Sequence, residues 1–159
     1  MIRCTFHLNG GRLSILSCPG IGFFPAYSGN AGNTRNNPEA IAMKDVGPLP
    51  PGKYYIVNRG VGGFATSARD WFLSSYTGSD RSIWFALYRN DDKIDDQTFI
   101  DDVHRGQFRL HPAGYSETSN GCITLQNISD FRSLREALLN TATFKLSASL
   151  NAYGTIQVY

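Results

Sequence analysis

A chain of 159 residues, 42% of them apolar and 13% aromatic, is long enough to bury one sizeable core and short for two. Its 15 Lys and Arg against 13 Asp and Glu leave a formal charge of +2, too small and too evenly spread for the basic face that nucleic acid demands. No apolar run reaches the ~20 residues of a membrane-spanning helix, and the opening MIRCTFHLNGG reads as strand, so neither membrane insertion nor a cleaved leader is expected.

In chain order, Ile2, Cys4, Phe6 and Leu8 alternate with Arg3, Thr5 and His7, and Asn9-Gly10 offers the positive φ angles of a tight turn. A hairpin over about 2–16 is expected, with His7 on its polar side. Cys4 and Cys18 fall on or near its two arms. They could bridge, but register alone rarely brings two α-carbons into range, and two small buried apolar residues are the favoured reading. Residues 18–52, with SGNAGNTRNNP in the middle and GPLPPG at the end, read as one long loop, either a functional lid or a merely mobile connection.

KYYIVN (53–58) is a strand entered by prolines. SARDWFLSSY is a candidate short helix with Ser67 as cap and Trp71, Phe72 and Tyr76 for one face. SIWFALYR (82–89) reads as a strand apolar enough to be central. The six aspartates of DDKIDDQTFIDD (91–102) lack the turn glycine and closing glutamate of a helix-loop-helix calcium site, so a solvated acidic loop is expected. QFRLH (107–111) and CITL (122–125) are strands. SDFRSLREALLN places Phe131, Leu134 and Leu138 at helical spacing behind Ser129 or Asp130 as cap, and GTIQVY closes the chain as a strand. The expected class is mainly β (α+β), with one or two short helices in a single domain over 1–159.

The chemistry concentrates in RLHPAGYSETSNGCITL (109–125). A thiol is a feeble nucleophile until ionised, and a neighbouring imidazole is the usual device for taking its proton. His111 and Cys122 sit at strand ends joined by a Gly- and Ser-containing connection that can fold back on itself. Gly121 lets the backbone approach a substrate carbonyl, and the amides around Asn120, Gly121 and Cys122 could bind an oxyanion. The competing reading is structural, since free cysteine is often buried and a lone histidine at a strand end is commonly part of the core. Zinc held by His104, His111 and Cys122 lacks a further partner at ligand spacing, and no metal is expected. The order of the pair also limits the choice: papain-like enzymes place the cysteine first, and caspases separate histidine from cysteine by about fifty residues.

SNGCITL (119–125) resembles the S-H-G-C-[IV]-R-[LM] signature of L,D-transpeptidases, and LPPGKYYI (49–56) resembles the T-P-x-G-x-[FY] strand entry of the same family. The short gap from His111 to Cys122, the His-Pro pair and the Gly- and Asn-rich N-terminal loop are most similar to L,D-transpeptidase-like effectors delivered by type VI secretion systems. Two departures stand out. Asn120 occupies the place of a second histidine and Thr124 that of an arginine, so their substrate contacts do not carry over.

The resemblance implies an L,D-transpeptidase-like sandwich or barrel core, Cys122 as nucleophile, His111 as base, and a backbone carbonyl after the histidine, here that of Pro112, to orient the ring. It implies that Ser119, Asn120 and Gly121 shape the oxyanion and substrate pocket, although Ser119 reads equally well as a turn-stabilising serine. The implied substrate is the tetrapeptide stem of peptidoglycan, processed through a thioester by L,D-carboxypeptidase or transpeptidase chemistry without a cofactor. A monomer made in the cytoplasm, passed to secretion machinery, active in a target cell's periplasm and blocked at its cleft by an immunity protein completes the expectation. A housekeeping transpeptidase and a catalytically inactive wall-binding module of the same fold are the alternatives.

Overall fold

In the computed structural model, residues 1–59, 80–114 and 119–159 are described. Segments with apolar residues at every second position bury that row by curling one sheet onto itself. The strands are β1 (Ile2–Phe6), β2 (Ser14–Cys18), β3 (Gly22–Tyr27), β4 (Gly52–Asn58), β5 (Phe85–Arg89), β6 (Gln97–Ile100), β7 (Val103–Gly106), β8 (Arg109–Pro112), β9 (Ile123–Leu125), β10 (Phe144–Lys145) and β11 (Asn151–Val158), with helix α1 at Ile128–Asn140. Eight of them form a closed barrel in the order β1-β2-β3-β9-β8-β5-β4-β11, sealed by the parallel pairing of β11 with β1. The protein is thus mainly β and, among the described residues, carries one α-helix.

The inward row includes Phe6, Leu16, Phe24, Leu125, Leu110, Leu87, Tyr54 and Ile156. Phe131, Leu134 and Leu138, the stripe expected of the helix, join this same core. Outside the barrel, Val57, Ala86 and Ala152 form a second cluster under Tyr55, Tyr88 and Phe144.

Several boundaries differ from expectation. GFFPAY within 18–52 is strand β3, wedged between β2 and β9. Its glycine and proline mask it in sequence, yet Pro25 gives up only a donor: its carbonyl accepts from Gln126 N at 3.0 Å, while Phe24 and Ala26 fill the inner row. The rest of that stretch is an ordered strap. Ser28 N donates to Asn36 Oδ1 at 2.8 Å, Leu49 N to Ser28 Oγ at 2.7 Å, and a short 3-10 turn spans Pro38–Ala40.

The β1–β2 connection is wider than a two-residue turn, with Asn9 Oδ1 accepting from Gly11 N and only Gly10 of the pair at positive φ. Its register pairs Thr5 with Ser17 and Phe6 with Leu16, which brings Cys4 opposite Cys18, and a disulfide joins them at a Cα separation of 4.3 Å. That corrects the reading of two unbridged thiols; the deciding quantity, register, is a property of the folded hairpin.

The acidic stretch is also more ordered than a solvated loop, since QTFI pairs with VHRG as the β6–β7 hairpin. Arg81–Ile83 is a 3-10 turn, so the next strand starts at Phe85, and Gln107 at positive φ delays β8 to Arg109. Asn127, not Ser129 or Asp130, caps α1. The candidate helix SARDWFLSSY lies outside the described residues.

Candidate active site

Strands β8 and β9 run parallel, with Leu110 opposite Ile123, His111 opposite Thr124 and Pro112 opposite Leu125. Leu110, Ile123 and Leu125 point into the core. Alternation then sends Arg109, His111, Cys122 and Thr124 to the outer face, with His111 and Cys122 as diagonal neighbours. The sequence pair is therefore brought onto one face of adjacent strands.

His111 is buried and held on three sides. Its Nδ1 lies 2.8 Å from the Pro112 carbonyl, its Nε2 lies 3.3 Å from Thr124 Oγ1, and the indole of Trp84 stacks on the ring at 4.2 Å and 20°. A carbonyl only accepts, so Nδ1 carries the proton and Nε2 is the basic nitrogen of the neutral ring. Burial lowers the His111 pKa to about 4, against the Pro112 hydrogen bond, and the cations of Arg81 and Arg109 act in the same direction as burial.

Cys122 is the free cysteine, half-buried immediately before β9, which begins one residue later than expected. Burial pushes its thiol upward; the Arg109 backbone N–H and the Arg109 and Arg81 charges oppose this without reversing it. Resting thiol and imidazole are accordingly both neutral, in place of the thiolate-imidazolium pair that the motif suggests. Nε2 is engaged by Thr124, so the diagonal pair shares a face before it shares a hydrogen bond.

The turn into Cys122 is braced from several sides. Gly121 has φ +95°, and a Cβ there would meet an Arg105 Nη atom and the Phe108 ring, both at 2.7 Å. The glycine is required by conformation and by what lies beneath it. Ser119 donates through Oγ to the Cys122 carbonyl at 2.8 Å, accepts from Gly29 N at 3.3 Å, and donates through its own N–H to Asn30 Oδ1 at 3.0 Å. Ser119 thus bolts the turn to the strap, while Asn120 is exposed. Arg105, almost fully buried, binds the carbonyls of Ile41, Gly47 and Pro48 and ties the same strap from below.

Sequence reading missed Trp84, Arg105 and the Asp96–Arg109 pair, and it singled out Thr124 only as a departure from the signature, not as a partner of His111. Only the cross-strand register of β8 and β9 would have flagged Thr124; for Trp84 a large aromatic just ahead of a strand is the sole hint. His104, weighed as a zinc ligand, sits on β7 against Phe99, away from the couple, and no cluster of three His, Cys, Asp or Glu suited to a metal occurs among the described residues. A cavity of about 450 Å³ beside Asp91, Lys93, Asp95 and Thr98 is bordered by neither His111 nor Cys122.

Fold and site together describe a small β-barrel of the L,D-transpeptidase type. The family model described as the Tlde1 domain matches residues 22–149, and the chain belongs to this family of type VI secretion L,D-transpeptidase-like effectors. Membership implies L,D-transpeptidase-like enzymatic activity. No curated protein and no solved structure matches the chain.

Proposed function

We propose that the protein is a cysteine-dependent antibacterial toxin that modifies peptidoglycan, acting on tetrapeptide stems by L,D-carboxypeptidase chemistry, L,D-transpeptidase chemistry or both. The observation that carries this reading is the placement of His111 and Cys122 on one outer face of adjacent strands, with Nδ1 committed to the Pro112 carbonyl and Nε2 left as the base.

A neutral base and a neutral thiol exchange the proton as the nucleophile attacks. Cys122 Sγ adds to the carbonyl of the third, diamino-acid residue of the stem while its proton passes to His111 Nε2. Backbone amides of the 120–122 turn hold the oxyanion, an arrangement that costs no reorganisation because Ser119 and Arg105 already brace the turn. The tetrahedral intermediate collapses, His111 returns the proton to departing D-alanine, and a thioester remains. Water releases the tripeptide stem; an amine gives a crosslink or an exchanged terminal D-amino acid.

Family membership supports synthesis in the cytoplasm, delivery by the secretion machinery into a rival's periplasm, and neutralisation in kin by an immunity protein that occludes the cleft. It favours this reading over a housekeeping transpeptidase. One observation favours a second reading, an inactive wall-binding module: Nε2 rests on Thr124 rather than on Cys122.

Mass spectrometry of purified tetrapeptide muropeptides, incubated with wild type and with Cys122→Ala, separates the two. Loss or exchange of the last residue with wild type alone supports the enzyme. Identical products from both proteins leave the binding module.

A further inference from the structure

The acidic stretch ahead of β6 has no part in the couple as described, yet one of its carboxylates reaches the nucleophile's neighbour. We propose that Asp96 and Arg109 form a positioning pair that sets the ionisation of Cys122: the guanidinium favours the thiolate, and the carboxylate holds it in place while offsetting part of its charge. This rests on Cys122 being the nucleophile.

Extending the β8–β9 register by one position sets Arg109 opposite Cys122 on the outer face. Arg109 Nη1 donates to Asp96 Oδ1 at 2.6 Å and to the Phe108 carbonyl at 2.8 Å, and Nη2 donates to Asp96 Oδ2 at 2.7 Å. A two-pronged pairing of this kind fixes the orientation of a guanidinium as well as its distance. Asp96 is itself anchored by its carbonyl, which accepts from Gln107 N at 3.0 Å and lies so close to Gly106 that no side chain fits there.

Among the described residues, the other charged groups whose fields reach Cys122 are Arg81 from the turn before β5 and Arg105 from β7 beneath Gly121, and the titratable His111 is its diagonal neighbour on β8. Arg105 is committed to three carbonyls of the strap, and Arg81 lies over the Trp84 ring at 4.9 Å. Among the described residues, Asp96 is the carboxylate bonded to the cation beside the thiol, which makes it the local counterweight.

The test is the pH dependence of Cys122 alkylation by iodoacetamide in the intact, disulfide-bonded protein, compared for wild type, Arg109→Gln, Arg109→Lys and Asp96→Asn. Arg109→Gln is expected to move the midpoint up, and a midpoint higher by about one on the pH scale slows alkylation roughly tenfold at a fixed pH below it. Asp96→Asn is expected to move it down and speed alkylation, and Arg109→Lys to stay nearer wild type than Gln.

A clamp with a purely structural role moves the midpoints of Asp96→Asn and Arg109→Gln in the same direction, because either change breaks the same bonds. That result, or unmoved midpoints, overturns the proposal. If Arg109→Gln does not fold, the direction in which Asp96→Asn moves the midpoint decides. Unmoved midpoints in variants with wild-type muropeptide turnover would sink the pair and leave the enzyme standing, whereas inert muropeptides beside displaced midpoints would do the reverse.

Discussion

His111 Nε2 and Thr124 Oγ1, 3.3 Å apart and side by side in the β8–β9 register, make the resting base a capped base. With Nδ1–H committed to Pro112, the threonine hydroxyl donates to Nε2, and that bond stabilises the neutral ring. Attack by Cys122 requires the hydroxyl to give way or to hand the lone pair over.

Thr124→Val removes the donor and keeps the shape. The His111 pKa should then rise, by up to about 1 for a hydrogen bond of ordinary strength. Thr124→Ser should restore the wild-type value. An NMR titration of the imidazole reads both, and a Val variant that titrates like wild type would show that the hydroxyl has no hold on the ring.

His111 also imposes a pH dependence on folding. Its folded pKa, near 4, lies below the ordinary value of 6.5, so between those limits the unfolded chain binds more protons. Stability therefore falls as pH drops from about 6.5 to about 4 and this contribution levels off below that, for a total of up to about 3 kcal/mol. His111→Gln should flatten the slope in chemical denaturation measured across that window. In turnover, the same group keeps its basic form down to about pH 4, so the acid limb of kcat/KM should lie well below the range of an unperturbed histidine.

Gly121→Ala adds a methyl group at φ +95° and drives it toward Arg105 and Phe108. Backbone strain alone costs about 1–2 kcal/mol. Because the distortion sits one residue before the nucleophile, muropeptide turnover should drop by far more than the melting temperature implies. Equal proportional losses in both would mean that the turn has no catalytic part.

The Cys4–Cys18 disulfide closes a loop with a sequence separation of 14 across the start of the barrel. Bridges over loops of this size contribute about 3 kcal/mol, mainly by restricting the unfolded chain. The Cys4→Ala/Cys18→Ala double variant should lose about that much in chemical denaturation, yet keep Cys122 reactive, since the bridge lies inside the barrel and the free thiol on its outer face.

Alternation along IRCTF, the β-branched and aromatic run KYYIV, the apolar run FALY, and the Phe131, Leu134, Leu138 stripe marked strands of the barrel and its helix, because composition and the period of apolar residues are local properties of the chain. GFFPAY escaped because a glycine and a proline speak locally for a loop, although the strand forms a hairpin with the neighbouring β2 and only its last two residues pair with β9, nearly a hundred residues away.

The site divides in the same way. The amino-acid sequence by itself determined that a histidine and a cysteine stand eleven positions apart at strand ends, with a glycine where the backbone must turn. Only the tertiary structure decided that Thr124 caps the base, Trp84 covers it, Asp96 reaches the neighbour of the thiol, and Cys4 meets Cys18. Each of these depends on strand register and barrel closure, which are set by packing the whole inner row at once, and no short stretch of residues contains that sum.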